Sequence, residues 1–182
     1  MSKYEVVEKF VSINGEGTKA GQLAVFIRFK GCNLNCKYCD TKWANEQETP
    51  SQPMTEKEIL DYVLSTGVKN VTLTGGEPLL REGIENVITV LAENNLNIEI
   101  ETNGSVYLDK IRKLHKENVT FTMDYKLSCS GMEAAMNLDN FNILSSNDTV
   151  KFVAGCREDL IKAKQIIEKY NPVSYTHLTL PT

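Results

Sequence analysis

Leu23-Ala-Val-Phe-Ile-Arg-Phe29 runs almost directly into Gly31-Cys-Asn-Leu-Asn-Cys-Lys-Tyr-Cys-Asp-Thr41. The first stretch is β-branched and aromatic, stops before a glycine, and reads as a strand buried on at least one face. The second packs three cysteines into eight residues, spaced C-x3-C-x2-C. A strand that empties into a polar, ligand-bearing loop is the arrangement of parallel α/β proteins. Their sites sit at the C-terminal ends of strands because the loops there converge over one mouth.

The same rhythm continues outward. Thr55 to Ser65 predicts a helix, with Thr55 as N-cap, Glu58 at the capping-box position and Gly67 after the end. Asn70-Val-Thr-Leu-Thr74 predicts a strand halted by Gly75-Gly76. Ile84 to Glu93 is an amphipathic helix, Asn97-Ile-Glu-Ile-Glu101 a strand, Asp109 to Lys116 a short helix, and Val119 to Asp124 and Asp148 to Val153 two further strands. Arg157 to Tyr170 reads as a long helix that buries one stripe of Leu160, Ile161, Ala163, Lys164 and Ile167. Glu46 to Pro53 reads as an exposed loop. Strands alternating with helices imply βα units and a largely parallel sheet, and at least five such strands suggest a barrel or partial barrel.

The 182 residues fit one domain, or one with an appendage, on a prior of ~150 residues per domain. A 41% hydrophobic and 24% charged composition is that of a globule with a core, neither a disordered tail nor a small disulfide scaffold. The net charge of −4 gives no basic footprint for direct nucleic-acid or membrane binding. Apolar runs such as Leu23 to Phe29 fall far short of the ~20 residues that span a bilayer. Met1 to Glu8 is charged and has no apolar segment of a signal peptide. A cytoplasmic protein is the expectation. The five cysteines are odd in number, so a metal or cluster site in a reducing compartment is favoured over a disulfide framework. Cys129 and Cys156, in separate segments, read as free buried thiols that behave as small hydrophobes.

Three thiolates on one tight loop can hold three irons of a [4Fe-4S] cube and leave the fourth iron open. The alternatives are a zinc site completed by a distant residue, since no further Cys or His lies near and the two histidines are His115 and His177, or three buried thiols. Thr74-Gly-Gly-Glu-Pro78 exposes backbone that can approach a ligand, or is simply a strand-to-helix turn. Glu101-Thr-Asn-Gly104 presents polar groups at a strand end, or a turn in which Asn103-Gly104 supplies positive φ. A buried Arg28 needs an anionic partner. That is either a ligand or an internal pair with Glu16.

Phe10-Val-Ser-Ile-Asn-Gly-Glu-Gly17, Val25 to Cys32, Cys39-Asp40-Thr41, Thr74 to Pro78, Glu101 to Gly104 and Asp124-Tyr-Lys126 stand in one order along the chain. From about Phe10 to Tyr170 the chain resembles the radical S-adenosylmethionine (SAM) superfamily and, within it, the 7-carboxy-7-deazaguanine synthase family of queuosine and deazapurine biosynthesis. The resemblance implies an α/β fold, a partial, open TIM-like β/α barrel, over residues 1–170. It implies a [4Fe-4S] cluster on Cys32, Cys36 and Cys39, and SAM held by Tyr38, Cys39, Asp40, Gly76, Glu77, Glu101, Asn103, Asp124, Tyr125 and Lys126. Mg²⁺ would sit on Thr41. The substrate, 6-carboxy-5,6,7,8-tetrahydropterin, would meet Ile13, Asn14, Gly15, Glu16, Arg28 and Thr74, with Glu16 and Arg28 as the catalytic pair that positions it. The implied reaction is ring contraction to 7-carboxy-7-deazaguanine with loss of ammonia. The electron donor would be a flavodoxin or ferredoxin, and the assembly a homodimer. An activase that places a glycyl radical on a partner enzyme shares the cysteine loop and Gly-Gly-Glu-Pro, and an inert iron–sulfur protein is the third reading.

Departures from the family are local until the end. Asn14 stands where the family usually has Gln, and Leu127-Ser-Cys-Ser-Gly131 where it often has Pro-Ser-Ser-Gly. Residues 171–182 lack both a helical pattern and the family's ending. They read as an atypical tail, a reading frame cut short and joined to foreign sequence.

Overall fold

β1 (Tyr4–Ile13) and β2 (Leu23–Phe29) form an antiparallel hairpin, and β3 (Gln52–Met54) pairs with the outer edge of β1. In the computed structural model, which describes residues 3–114, 117–171 and 175–181, these strands open an eight-stranded sheet. β4 (Asn70–Gly75), β5 (Asn97–Thr102), β6 (Val119–Tyr125), β7 (Thr149–Val153) and β8 (Tyr175–Thr179) follow in spatial order, each parallel to its neighbour, with β4 parallel to β2. β3 and β8 are the two edges, so the barrel is open.

The helices are α1 (Glu56–Thr66), α2 (Ile84–Glu93), α3 (Asp109–Leu114) and α4 (Arg157–Tyr170). The capping box opens α1 as expected. The Glu58 amide donates to the Thr55 hydroxyl at 3.2 Å, and the Glu58 carboxylate accepts from the Thr55 amide at 2.7 Å. Gly67 closes the helix in the left-handed region at φ 71°.

Strand alternation sorts the sheet into two faces. Val25, Ile27, Val71, Leu73, Ile98, Ile100, Phe121 and Phe152 are fully or almost fully buried, in one core with Ile59 and Val63 of α1 and Val87, Ile88 and Leu91 of α2. The opposite face is polar. Arg28 lies in register with Thr74, Thr72 with Glu99, Glu101 with Thr122, and Asp124 with Lys151. Hydroxyls, carboxylates and two cations therefore line the concave side.

Three expectations are corrected. The segment read as a loop up to Pro53 ends in β3. The buried stripe of α4 is Asp159, Ala163 and Ile166, whereas Leu160, Ile161 and Ile167 are exposed. The helix is turned by about one residue because Asp159 is bound inward by Ser128, Cys129 and Gly155. Cys129 and Cys156 are not separate core thiols but a disulfide. Sequence periodicity also gives no signal for β1, which carries no clean alternation because its register to β2 shifts between Val6 and Glu8. The tail contributes β8, and the C-terminal part of the expected helix 109–116 lies outside the described residues.

Candidate active site

The C-terminal ends of β2, β4, β5, β6 and β7 surround a cavity of about 320 Å³. Its rim is the cysteine loop. Gly31, at φ 87°, turns the chain out of β2, its amide donating to Ala44 and its carbonyl accepting from Glu77. Cys32, Cys36 and Cys39 are free thiols and all three line the cavity. The Leu34 amide, at 3.4 Å, and the Asn103 side chain, at 3.5 Å, donate to the Cys32 sulfur, and Lys37 donates its amide to Ser130 at 3.0 Å. Burial pushes the Cys36 thiol up, and the Lys126 ammonium opposes that. Among the described residues no histidine and no further cysteine joins the lining. Three soft donors without a fourth suit a cluster with one open iron and leave a closed zinc site a ligand short.

Beside the loop, Gly75 and Gly76 bring a second backbone into contact. A methyl on Gly75 would overlap the Phe29 backbone, and one on Gly76 the Gly31 carbonyl. Only glycine allows this approach, and it places both residues in the cavity wall. The Glu77 side chain faces the other way. Fully buried, it accepts from the Asn103 amide at 2.7 Å, the Leu79 amide at 3.1 Å and the Thr102 hydroxyl at 3.0 Å. It ties the β4 exit to the β5 exit.

The floor is a set of ion pairs. Arg28 pairs with Glu8 at 2.9 Å and Glu16 with Lys151 at 2.5 Å, so the internal Glu16–Arg28 pair is not formed. Lys126 holds Asp124 at 2.7 Å, and Lys151 stands 3.9 Å from the same carboxylate oxygen. The other Asp124 oxygen is buried without a protein partner, as is the Asn45 side-chain oxygen; both residues line the cavity. The Thr74 hydroxyl donates to Glu101 at 2.6 Å. Tyr38 donates to the Val153 carbonyl at 3.0 Å, and burial pushes its phenol up to about 12.

Glu16, Arg28, Tyr38, Asp40, Thr41, Thr74, Gly76, Glu101, Asn103, Asp124 and Lys126 thus meet at the cavity with the three cysteines. Ile13, Asn14, Gly15, Glu77 and Tyr125 do not line it. Ile13 is 64% exposed, Asn14 is buried against Glu99, and Tyr125 packs in the core against Phe141 and Phe152. Sequence reasoning missed Glu8, Asn45, Thr122 and Lys151. Lys151 was accessible through alternation, because it occupies the inward phase of β7 just as Glu101 and Asp124 do in β5 and β6.

Burial raises both Glu77 and Glu101 to about 7, against donors that pull the other way. The folded chain then binds more protons than the unfolded chain between about pH 4.5 and 7, so stability falls as pH rises through that window. The loss is at most about 3 kcal/mol for each carboxyl. The melting temperature of the cluster-free protein is expected to drop from pH 5 to pH 8, and Glu101→Gln to flatten the profile. An unchanged slope in that variant contradicts the assignment.

Against known proteins, the radical SAM superfamily profile matches residues 26–126. A barrel open on one side, with a three-cysteine loop at its mouth, belongs to that superfamily. The 7-carboxy-7-deazaguanine synthase of Clostridium acetobutylicum is 57% identical over 96% of this chain and 79% of its own length. That of Methanospirillum hungatei is 35% identical over 91% of this chain and 68% of its own. This chain is a member of the 7-carboxy-7-deazaguanine synthase family. The fold is shared with QueE from Escherichia coli, at a TM-score of 0.76 and 22% identity over 98% of this chain and 83% of that one. It is shared less closely with SuiB of Streptococcus suis bound to S-adenosylmethionine, at a TM-score of 0.62 and 16% identity over 84% and 39%. Among the described residues, no helix is long and apolar enough to cross a membrane.

Proposed function

We propose that the chain contracts the ring of 6-carboxy-5,6,7,8-tetrahydropterin to 7-carboxy-7-deazaguanine, releasing ammonia. The observation that carries this is the cavity itself. Three free thiols on its rim face Arg28, Glu16 and Lys151 on its floor, in a chain 57% identical to a 7-carboxy-7-deazaguanine synthase. Bound on Cys32, Cys36 and Cys39, a [4Fe-4S] cluster with SAM supplies hydrogen-atom abstraction at carbon.

The protein's part is orientation and exclusion of water. The Gly75–Gly76 peptide edges, Asn103 and Tyr38 hold SAM against the cluster loop. Arg28 exchanges Glu8 for the substrate carboxylate, a planar fork meeting a planar anion. Glu16 accepts from the donor-rich pterin edge while Lys151 holds it in position. The Thr41 hydroxyl and Asp40 are the hard oxygens that suit Mg²⁺, which takes few protein ligands. A flavodoxin or ferredoxin delivers the electron, and the enzyme works as a cytoplasmic homodimer.

Anaerobic reconstitution with iron and sulfide, followed by incubation with SAM, dithionite and the carboxypterin, is expected to yield the deazaguanine by mass spectrometry. An iron-loaded protein that cleaves SAM but never converts the pterin overturns the reading. Arg28→Ala is expected to raise the KM for the pterin about 100-fold, as the loss of a charge-assisted pair demands, with uncoupled SAM cleavage retained. A wild-type KM in that variant removes Arg28 from the site.

A further inference from the structure

Cys129 and Cys156 have no role in this chemistry, yet they form a disulfide across 27 positions of chain. Cys129 lies in the 3₁₀ turn Ser128–Ser130 just after β6, and Cys156 is the N-cap of α4. Both are half-buried and flanked by exposed Ser128 and Gly155, so a small thiol can reach them. A methyl on Gly155 would come within 3.0 Å of the Cys129 Cβ, so a glycine is what admits the pair.

Asp159, buried in the first turn of α4, reinforces the junction. One carboxylate oxygen accepts from the Ser128 hydroxyl at 2.8 Å and the Cys129 amide at 3.1 Å, the other from the Gly155 amide at 2.9 Å. The two sulfurs and an Asp159 oxygen lie within 4.8 Å of one another. Both oxygens are already committed to donors, which points to a clamp rather than a cation site.

The clamped segment is the wall behind the cluster loop. The Ser130 carbonyl accepts the Lys37 amide at 3.0 Å, and the Met132 sulfur accepts the Asn35 amide at 3.5 Å. Asn35 and Lys37 stand on either side of Cys36 in the sequence. Whatever secures residues 128–132 to α4 therefore also secures the middle of that loop.

We propose that Cys129 and Cys156 are a reversible thiol–disulfide site whose oxidised form clamps the wall behind the cluster loop. The partner is a low-molecular-weight disulfide, RSSR. The two protein thiols give up two protons and two electrons, the protein S–S bond forms, the R–S–S–R bond breaks, and two RSH leave. A small dithiol runs the exchange backward. A cysteine thiolate is the species that attacks and departs in such exchange. The closed form removes freedom from a loop of chain, which is how a disulfide restrains the segments it joins.

The test uses the cluster-loaded protein, held without oxygen in glutathione buffers or with dithiothreitol. Samples are alkylated and digested, and the linked Cys129–Cys156 peptide is weighed against its doubly alkylated form. Cluster loss to a chelator is timed by absorbance in parallel. The linked peptide is expected to form and reopen with the buffer, and cluster loss to run about fivefold faster in the dithiol form. C129A/C156A is expected to lose its cluster at the fast rate in every buffer. A peptide that never links, a link that dithiol does not reopen, or wild-type cluster loss indifferent to the buffer overturns the proposal. If the double variant does not fold, the two wild-type measurements still decide.

Discussion

Cys36→Ala is expected to abolish SAM cleavage altogether while leaving the fold in place. Cys36 is 7% exposed, but it lies on a rim loop and is absent from the main core cluster, so the lost packing is minor. The chemical loss is complete. With two thiolates in place of three, the loop cannot retain a cube whose remaining iron must stay open for SAM. Among the described residues no histidine lines the cavity as a substitute, and Cys129 and Cys156 lie beyond it, bonded to each other. Iron content, visible absorbance and 5′-deoxyadenosine release after reconstitution should all fall to background. Cys129→Ala, by contrast, should keep iron and cleavage, which separates the two classes of cysteine. A Cys36→Ala protein that binds iron and yields 5′-deoxyadenosine would falsify the three-thiol site.

The cluster loop and the glycine turn were legible because each is a local pattern. Spacing alone groups Cys32, Cys36 and Cys39, and Gly75-Gly76 announces a close approach whatever lies opposite. Helix α2 was legible to both ends because its apolar period is uninterrupted. What stayed hidden depends on partners far along the chain. Arg28 called for an anion, a ligand or an internal Glu16, but the register shift between Val6 and Glu8 sets Glu8 opposite it. Glu16 is left to Lys151, 135 positions away. The α4 stripe failed for a similar reason. Hydrophobic phase favours Leu160 and Ile161 inward, yet three hydrogen bonds to one buried carboxylate turn Asp159 inward. Buried polar groups that must be satisfied override a marginal apolar moment.

Glu77→Ala is expected to cost about 3–5 kcal/mol, the sum of leaving the half-buried Leu79 amide, the buried Asn103 amide and the buried Thr102 hydroxyl without their acceptor. For a chain of this length that lowers the melting temperature by roughly 10 °C or more. The damage is directional as well as large. The carboxylate holds the exit of β4 to the exit of β5, so its loss frees Gly76 and Asn103 to move independently. Asn103 in turn donates to the Cys32 sulfur. SAM affinity should therefore weaken at least tenfold even at temperatures where the variant remains folded, because positioning errors of about 1 Å are enough to do so. Glu77→Gln keeps one accepting oxygen but turns an NH₂ toward a donor, so it should fall between the two. Below pH 7 the wild-type carboxyl is itself protonated, and the gap to Gln should narrow there, since a neutral acid also carries a single free carbonyl oxygen. Thermal melts at about pH 6 and pH 8, on either side of that titration, with SAM titrations on the same samples check both claims. An alanine variant within about 1 kcal/mol of wild type, or one that binds SAM normally, would mean that the two strand exits are held by something other than this carboxylate.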